Sequence, residues 1–146
     1  MFRVAVSGGF DPLHSGHIEY FKLARALGDR LIVIVNTDEW LIQKKGYAFM
    51  PLNDRFIILE SIRWVDAVVV AIDQDDTVAE TLRCLKPDIF AKGGDRRSDA
   101  DMPPSEIKVC REIGCRIVYG VGGYEKADSS RALVERAVTK FKELGR

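Results

Sequence analysis

The sequence predicts a Rossmann-like α/β fold: a five-stranded parallel sheet in the order 3-2-1-4-5 with helices on both faces. Three observations carry this expectation. Short apolar runs alternate with helical patterns along the whole chain. The runs are continuously apolar rather than alternating, as in strands covered on both faces. Glycine pairs end the first and fourth runs, where an open parallel sheet places its ligand loops.

Taken in order, Val4-Ala5-Val6, stopped at Gly8-Gly9, is the first strand. From Ser15 to Leu27 the apolar positions Ile18, Phe21, Leu23 and Leu27 follow a helical period, with Gly28 as the stop. Leu31 to Val35 is the second strand, and Asn36-Thr37-Asp38 caps a short helix through Trp40 and Leu41. Gln43 to Gly46 is polar and basic and reads as a loop. Phe56, Ile57, Leu59, Ile62 and Trp64 predict a helix with Pro51 in its first turn. Ala67 to Ile72 is the third strand, and the acidic turn Asp73 to Asp76 caps a helix from Thr77 to Leu85. Ile89 to Ala91 is the fourth strand, stopped by Gly93-Gly94. Asp95 to Pro104, the least apolar stretch, reads as an exposed loop and a candidate for mobility. A helix from Glu106 to Ile113 closes at Gly114, and Arg116 to Tyr119 is the fifth strand. After a Gly-rich loop from Gly120 to Asp128, an amphipathic helix runs from Ser129 to Leu144, capped by Asp128 or Ser129.

A length of 146 residues fits one compact domain, and 47% hydrophobic with 30% charged residues is ordinary for a globular protein. Lys plus Arg and Asp plus Glu are both 22, so the basic excess of a nucleic-acid-binding protein is missing, although a local basic pocket stays open. Cys84, Cys110 and Cys115 are odd in number and form no CxxC pair, which favours reduced thiols. The first apolar run is too short for a signal peptide, and no run reaches membrane-spanning length, so the expectation is a soluble cytoplasmic protein.

The chemistry concentrates after the first strand, in Gly8-Gly9-Phe10-Asp11-Pro12-Leu13-His14-Ser15-Gly16-His17. A doubly wound fold binds phosphate here, at a helix N-terminus. Gly8 and Gly9 let backbone approach a ligand, and Gly16 leaves room between two histidines. His14 and His17 are the only histidines in the chain, and their spacing allows both to point into one pocket. Imidazole N–H groups there suit the charge that spreads over the oxygens of an attacked α-phosphate. Read alone, either histidine would be an ordinary turn residue.

Gly-Gly-Phe-Asp-x-x-His-x-Gly-His resembles the HxGH signature of the cytidylyltransferase-like nucleotidyltransferases, and the resemblance extends over essentially the whole chain. It implies that His14 and His17 stabilise the transition state and that Phe10 and Asp11 line the triphosphate site. Asn36-Thr37-Asp38 resembles an Asn-x-Asp stretch of glycerol-3-phosphate and heptose-phosphate nucleotidyltransferases, which makes Asp38 a substrate ligand; by its chemistry alone Asp38 is equally an N-cap. The family's phosphate-binding loop lysine falls on Lys44 first and Lys45 second, and its active-site helix arginine on Arg55. Arg63-Trp64-Val65-Asp66 resembles the Arg-Tyr-Val-Asp motif, implying that Arg63 lies near the active site and Asp66 fixes it. Lys92-Gly93-Gly94-Asp95 resembles the Lys-Gly-Gly-Asp of the ADP-heptose synthase adenylyltransferase domain, so Lys92, Gly93 and Asp95 are expected to bind the nucleotide. Ser129 and Ser130 match the family's hydroxyl pair at the last helix, which binds β- and γ-phosphates. The chain departs from the common Ile-Ser-Thr-Thr there, with Asp128 and Arg131 flanking the serines. Arg96 to Ser105 also differs from the family pattern and is a candidate for shaping the acceptor site.

The resulting expectation is transfer of CMP or AMP from an NTP to a phosphorylated small molecule, a sugar- or polyol-phosphate, with release of pyrophosphate. Mg²⁺ would accompany the NTP. Arg-Trp-Val-Asp leans towards CTP and Lys-Gly-Gly-Asp towards ATP. The alternatives are an FAD synthase or pantetheine-phosphate-type adenylyltransferase, or a nucleotide-binding regulatory module without turnover. A class I aminoacyl-tRNA synthetase is set aside, because no Lys-Met-Ser-Lys-Ser run is present. Homodimerisation follows from the resemblance alone.

Overall fold

A computed structural model of the chain describes residues 1–122 and 129–145. Five parallel strands are β1 (Arg3–Gly8), β2 (Arg30–Val35), β3 (Ala67–Val70), β4 (Ile89–Gly93) and β5 (Arg116–Val121). Their order is β3-β2-β1-β4-β5, as the sequence predicts. The helices are α1 (Ser15–Arg25), α2 (Asp38–Lys45), α3 (Leu52–Glu60), α4 (Ala79–Leu85), α5 (Pro104–Ile113) and α6 (Ser130–Glu143).

The sheet is covered twice, and β1 shows why its run is unbroken. Val4 and Val6 point into a core built with Phe21, Ala24 and Leu59 of α1 and α3. Ala5, between them, points into a second core with Leu82 of α4 and Val109 and Cys110 of α5. Alternate side chains thus enter opposite cores, and each must be apolar. Burying Phe21, Leu31 or Leu59 completely stabilises the fold by roughly 1.5–3 kcal/mol each.

Several boundaries differ from expectation for local reasons. Residues 43–45 continue α2, which ends at Gly46 in the left-handed conformation (φ 88°). Their polarity marks helix facing solvent, not a loop. The N-cap of α2 is Thr37, whose Oγ1 accepts from Trp40 N at 3.2 Å, so Asp38 is the first helical residue and not the cap. Pro51 is the N-cap of α3, and Ile62 and Trp64 pack on the core from beyond that helix's end. The third strand stops at Val70, whereas β5 runs on to Val121. The acidic turn does cap α4: Asp73 accepts from the backbone N–H groups of Glu80 and Thr81 at 2.7 and 3.1 Å. The stretch after Asp95 is held down, with a 3₁₀ turn at Asp99–Asp101, Met102 buried, and the Arg96 guanidinium and Arg97 N–H both donating to Asp101. Ser129 caps α6, accepting from Ala132 N at 3.1 Å; residues 123–128, and with them Asp128 as the other candidate cap, lie outside the described residues. The three cysteines are free thiols, two of them buried. Among the described residues no helix is long and apolar enough to cross a membrane.

Candidate active site

Helix α1 packs on one face of the sheet and α5 on the other, so the loops leaving β1 and β4 diverge and open a cleft between them. The cleft has a volume of about 1290 Å³, large enough for a nucleotide and a second small substrate. The sequence-predicted residues Gly8, Gly9, Phe10, Asp11, His14, Gly16, His17, Lys44, Lys92, Gly93, Asp95, Ser129 and Ser130 all line it. Asp38, Arg55 and Arg63 do not.

The two histidines form a reciprocal cap on α1. His14 Nδ1 accepts from Gly16 N at 3.0 Å, and His17 Nδ1 accepts from His14 N at 3.2 Å. The rings stack with centroids 3.9 Å apart. Because both Nδ1 atoms are acceptors, each neutral imidazole carries its proton on Nε2, the opposite edge of the ring. The local fold thereby sets two N–H donors at the positive end of a helix, an arrangement suited to phosphate oxygens. Gly16 makes this possible: a Cβ there would lie 2.8 Å from His14 Cε1. Phe10 holds His17 from behind. Its ring is buried in the core, edge-on to both His17 and Phe21, and its backbone sits at φ 51°. The Phe10 side chain, expected at the triphosphate site, therefore packs against the His17 imidazole in the cleft wall.

Arg55 is the main correction. Its side chain is completely buried, and each of its three nitrogens donates inside the protein. Nε donates to Met50 O at 3.0 Å, one terminal nitrogen to Gly9 O at 2.9 Å and Asn36 O at 2.6 Å, and the other to Asp38 Oδ1 at 2.7 Å. Arg55 and Asp38 thus brace the backbone of the glycine loop and of the β2–α2 turn, outside the lining of the cleft. Asp11 is likewise committed, its carboxylate accepting from Phe49 N and Met50 N at 2.6 Å each. Lys45 donates to Asp11 O at 2.5 Å and lies 3.4 Å from its carboxylate. Lys44 stands on the rim, 3.7 Å from Asp76, and is half exposed. Both lysines line the cleft, and Lys44 is the more exposed of the two.

Arg63 is exposed and lies over the ring of its neighbour Trp64. The Asp66 carboxylate holds Arg25 at 2.9 Å and the Leu31 N–H at 2.8 Å, so it does not fix Arg63. On the far side of the cleft, the Ser130 hydroxyl donates to Pro12 O at 2.6 Å, tying the start of α6 to the histidine loop.

Sequence reasoning passed over three features of the cleft. Tyr20 lines it, donating to Ala91 O at 2.5 Å, with burial pushing its phenol up. Thr77 and Val78 reach it from the start of α4. Glu106 is a buried carboxylate on α5, and burial raises its pKa. An acid in a first helical turn is ordinarily a dipole partner, and nothing in the neighbouring sequence distinguishes Glu106 from that.

The cytidylyltransferase-like family model matches residues 5–135. An FAD synthase of Pyrococcus abyssi is 40% identical over 116 residues, covering 79% of this chain and 76% of that protein. A bifunctional protein HldE of a Marinomonas species is 45% identical over 137 residues, 92% of this chain but 27% of HldE, so the chain spans about a quarter of that relative. A solved structure, the lipopolysaccharide core biosynthesis protein from Thermoplasma volcanium, superimposes with a TM-score of 0.72 at 31% identity, covering 88% of this chain and 99% of that one.

Proposed function

Since the chain belongs to the cytidylyltransferase-like family of nucleotidyltransferases, we propose that it transfers a nucleoside monophosphate, CMP or AMP, from an NTP to a phosphorylated small molecule and releases pyrophosphate. The observation that carries this reading is the stacked pair His14 and His17, capped so that both offer Nε2–H at the N-terminus of α1. The acceptor phosphate is ionised at neutral pH and attacks the α-phosphorus directly, so no general base is needed. As pyrophosphate departs, charge on the equatorial oxygens meets the two imidazole donors. Lys44 closes over the triphosphate as a point charge, and Ser129 and Ser130 sit at the opposite helix start. Lys92, Gly93 and Asp95 take the nucleoside.

Mg²⁺ enters as part of the NTP substrate, held by phosphate oxygens and water, a binding mode that requires no protein cage. Its contribution is to neutralise triphosphate charge. We propose a homodimer on the family resemblance. A second reading, adenylylation of a flavin phosphate, is favoured by the 40% identity to the FAD synthase over most of both chains.

The test is pyrophosphate release with Mg²⁺, each of four NTPs, and a panel of heptose-1-phosphate, glycerol 3-phosphate, phosphocholine and FMN. Release that needs one NTP and one acceptor, and is lost in His17→Ala, supports transfer and separates the two readings. NTP binding without release across the panel favours a regulatory module. No NTP binding at all overturns the proposal.

A further inference from the structure

The α5 side of the cleft holds two ionisable groups whose hydrogen bonding is incomplete. Glu106 is 4% exposed; its Oε2 accepts from Val78 N at 3.0 Å, while Oε1 is buried with no hydrogen-bond partner among the described residues. Lys92, at the end of β4, lies over the Phe90 ring at 4.7 Å, and among the described residues its ammonium makes no hydrogen bond or ion pair. The two groups feel each other's charge, yet no ion pair within 4.0 Å joins them. Burial works against both, pushing the lysine down and the carboxyl up. A native interior rarely leaves a carboxylate oxygen unsatisfied, because it costs the full desolvation of that atom.

A donor without an acceptor and an acceptor without a donor in one cleft wall suit a ligand atom that both donates and accepts. We infer that Lys92 and Glu106 form a specificity pair that grips a hydroxyl group of a bound substrate, the hydroxyl donating to Glu106 Oε1 and accepting from Lys92 Nζ. A phosphate would be repelled by the carboxylate and has mostly lost its last proton at neutral pH. A carbonyl would satisfy the lysine alone and leave Oε1 orphaned. The hydroxyl belongs either to the ribose of the NTP or to the carbon chain of the acceptor. This inference rests on reading the cleft as a nucleotidyltransferase site, and it adds a residue, Glu106, with a role in selecting what binds there.

The test is isothermal titration of the whole chain in Mg²⁺. One arm compares ATP and CTP with their 2′-deoxy and 3′-deoxy counterparts. The other compares glycerol 3-phosphate with propyl phosphate. In the wild type, removing the gripped hydroxyl weakens binding about tenfold or more in one arm, and that arm identifies the source. In Glu106→Gln, whose amide hydrogen-bonds with reversed polarity, and in Lys92→Met, the penalty falls to about twofold. Circular dichroism melts of both variants check folding, and either variant alone suffices. No hydroxyl penalty in either arm of the wild type, or a penalty that survives intact in a folded variant, overturns the pair. A nucleobase held there through its edge would leave the affinity for deoxy ligands unchanged, and that outcome likewise overturns the hydroxyl pair. Failure of the wild type to bind any NTP would overturn the proposed function instead.

Discussion

Replacing Arg55 by methionine strips a guanidinium out of a fully buried position and separates two accounts of that residue. Three backbone carbonyls, of Gly9, Asn36 and Met50, lose their donor, and the Asp38 carboxylate loses its partner at 2.7 Å. Removing one side of a buried pair in this way costs about 3–5 kcal/mol. Asp38 is itself 35% exposed and can be rehydrated, which argues for the lower half of that range. For a domain of this size each kcal/mol moves Tm by about 3–4 °C. The expected fall is therefore about 10–15 °C, measured by thermal denaturation followed by circular dichroism. NTP affinity, measured below the variant's Tm, should drop as well, because Gly9 O anchors the loop that carries the histidines. A Tm within about 3 °C of the wild type, together with a lost acceptor affinity, would refute the bracing role and return Arg55 to the substrate, as the sequence motif suggested.

Four further outcomes follow from the geometry. Gly16→Ala places a methyl 2.8 Å from His14 Cε1 and displaces the imidazole; we expect loss of about 1 kcal/mol of helix capping and a fall in kcat of at least about tenfold, measured by pyrophosphate release. Lys44→Ala should leave Tm unchanged within about 1–2 °C while raising the KM for NTP, since its ion pair with Asp76 is exposed. Lys45→Ala should also cost about 1–3 kcal/mol, because its partner Asp11 is buried; equal melts for the two variants would contradict this division. Arg63→Ala should change both Tm and turnover little, as its side chain is exposed and outside the cleft; a large loss of turnover would place it in the site after all. For Glu106, burial holds the carboxyl above the ordinary carboxylate range, so the folded state keeps that proton longer than the unfolded chain does. Its stability contribution is present in acid and is lost as pH rises through that range to the raised value. Glu106→Gln removes the loss, so the Tm of the variant relative to the wild type should climb with pH across that interval, in scanning fluorimetry; a difference that is flat or falls with pH contradicts the assignment.

Much of this protein was readable from short stretches. The strand runs of β1 and β2 are continuous Val, Ile and Leu because both faces are covered, and that is a local signal of a parallel sheet. The cap formed by His14, Gly16 and His17 spans four residues, so its chemistry is contained in a single motif. For three charged side chains the fold gives a placement that the motifs do not show. Arg55, Lys45 and Asp11 carry the residue types expected of a phosphate site, yet Arg55 and Asp11 are turned inward as braces and Lys45 is held against Asp11. Glu106, which the sequence marks only as the start of a helix, lies in the cleft wall. The difference is one of range. Periodicity, capping and turn chemistry act over a few residues and are written in neighbouring side chains. Whether a charge faces solvent or is buried depends on partners far along the chain: Gly9 lies 46 residues from Arg55, and Val78 lies 28 from Glu106. Packing the helices on the two faces of the sheet brings those partners together, and their hydrogen bonds then decide which charges brace the loops and which remain to meet a ligand.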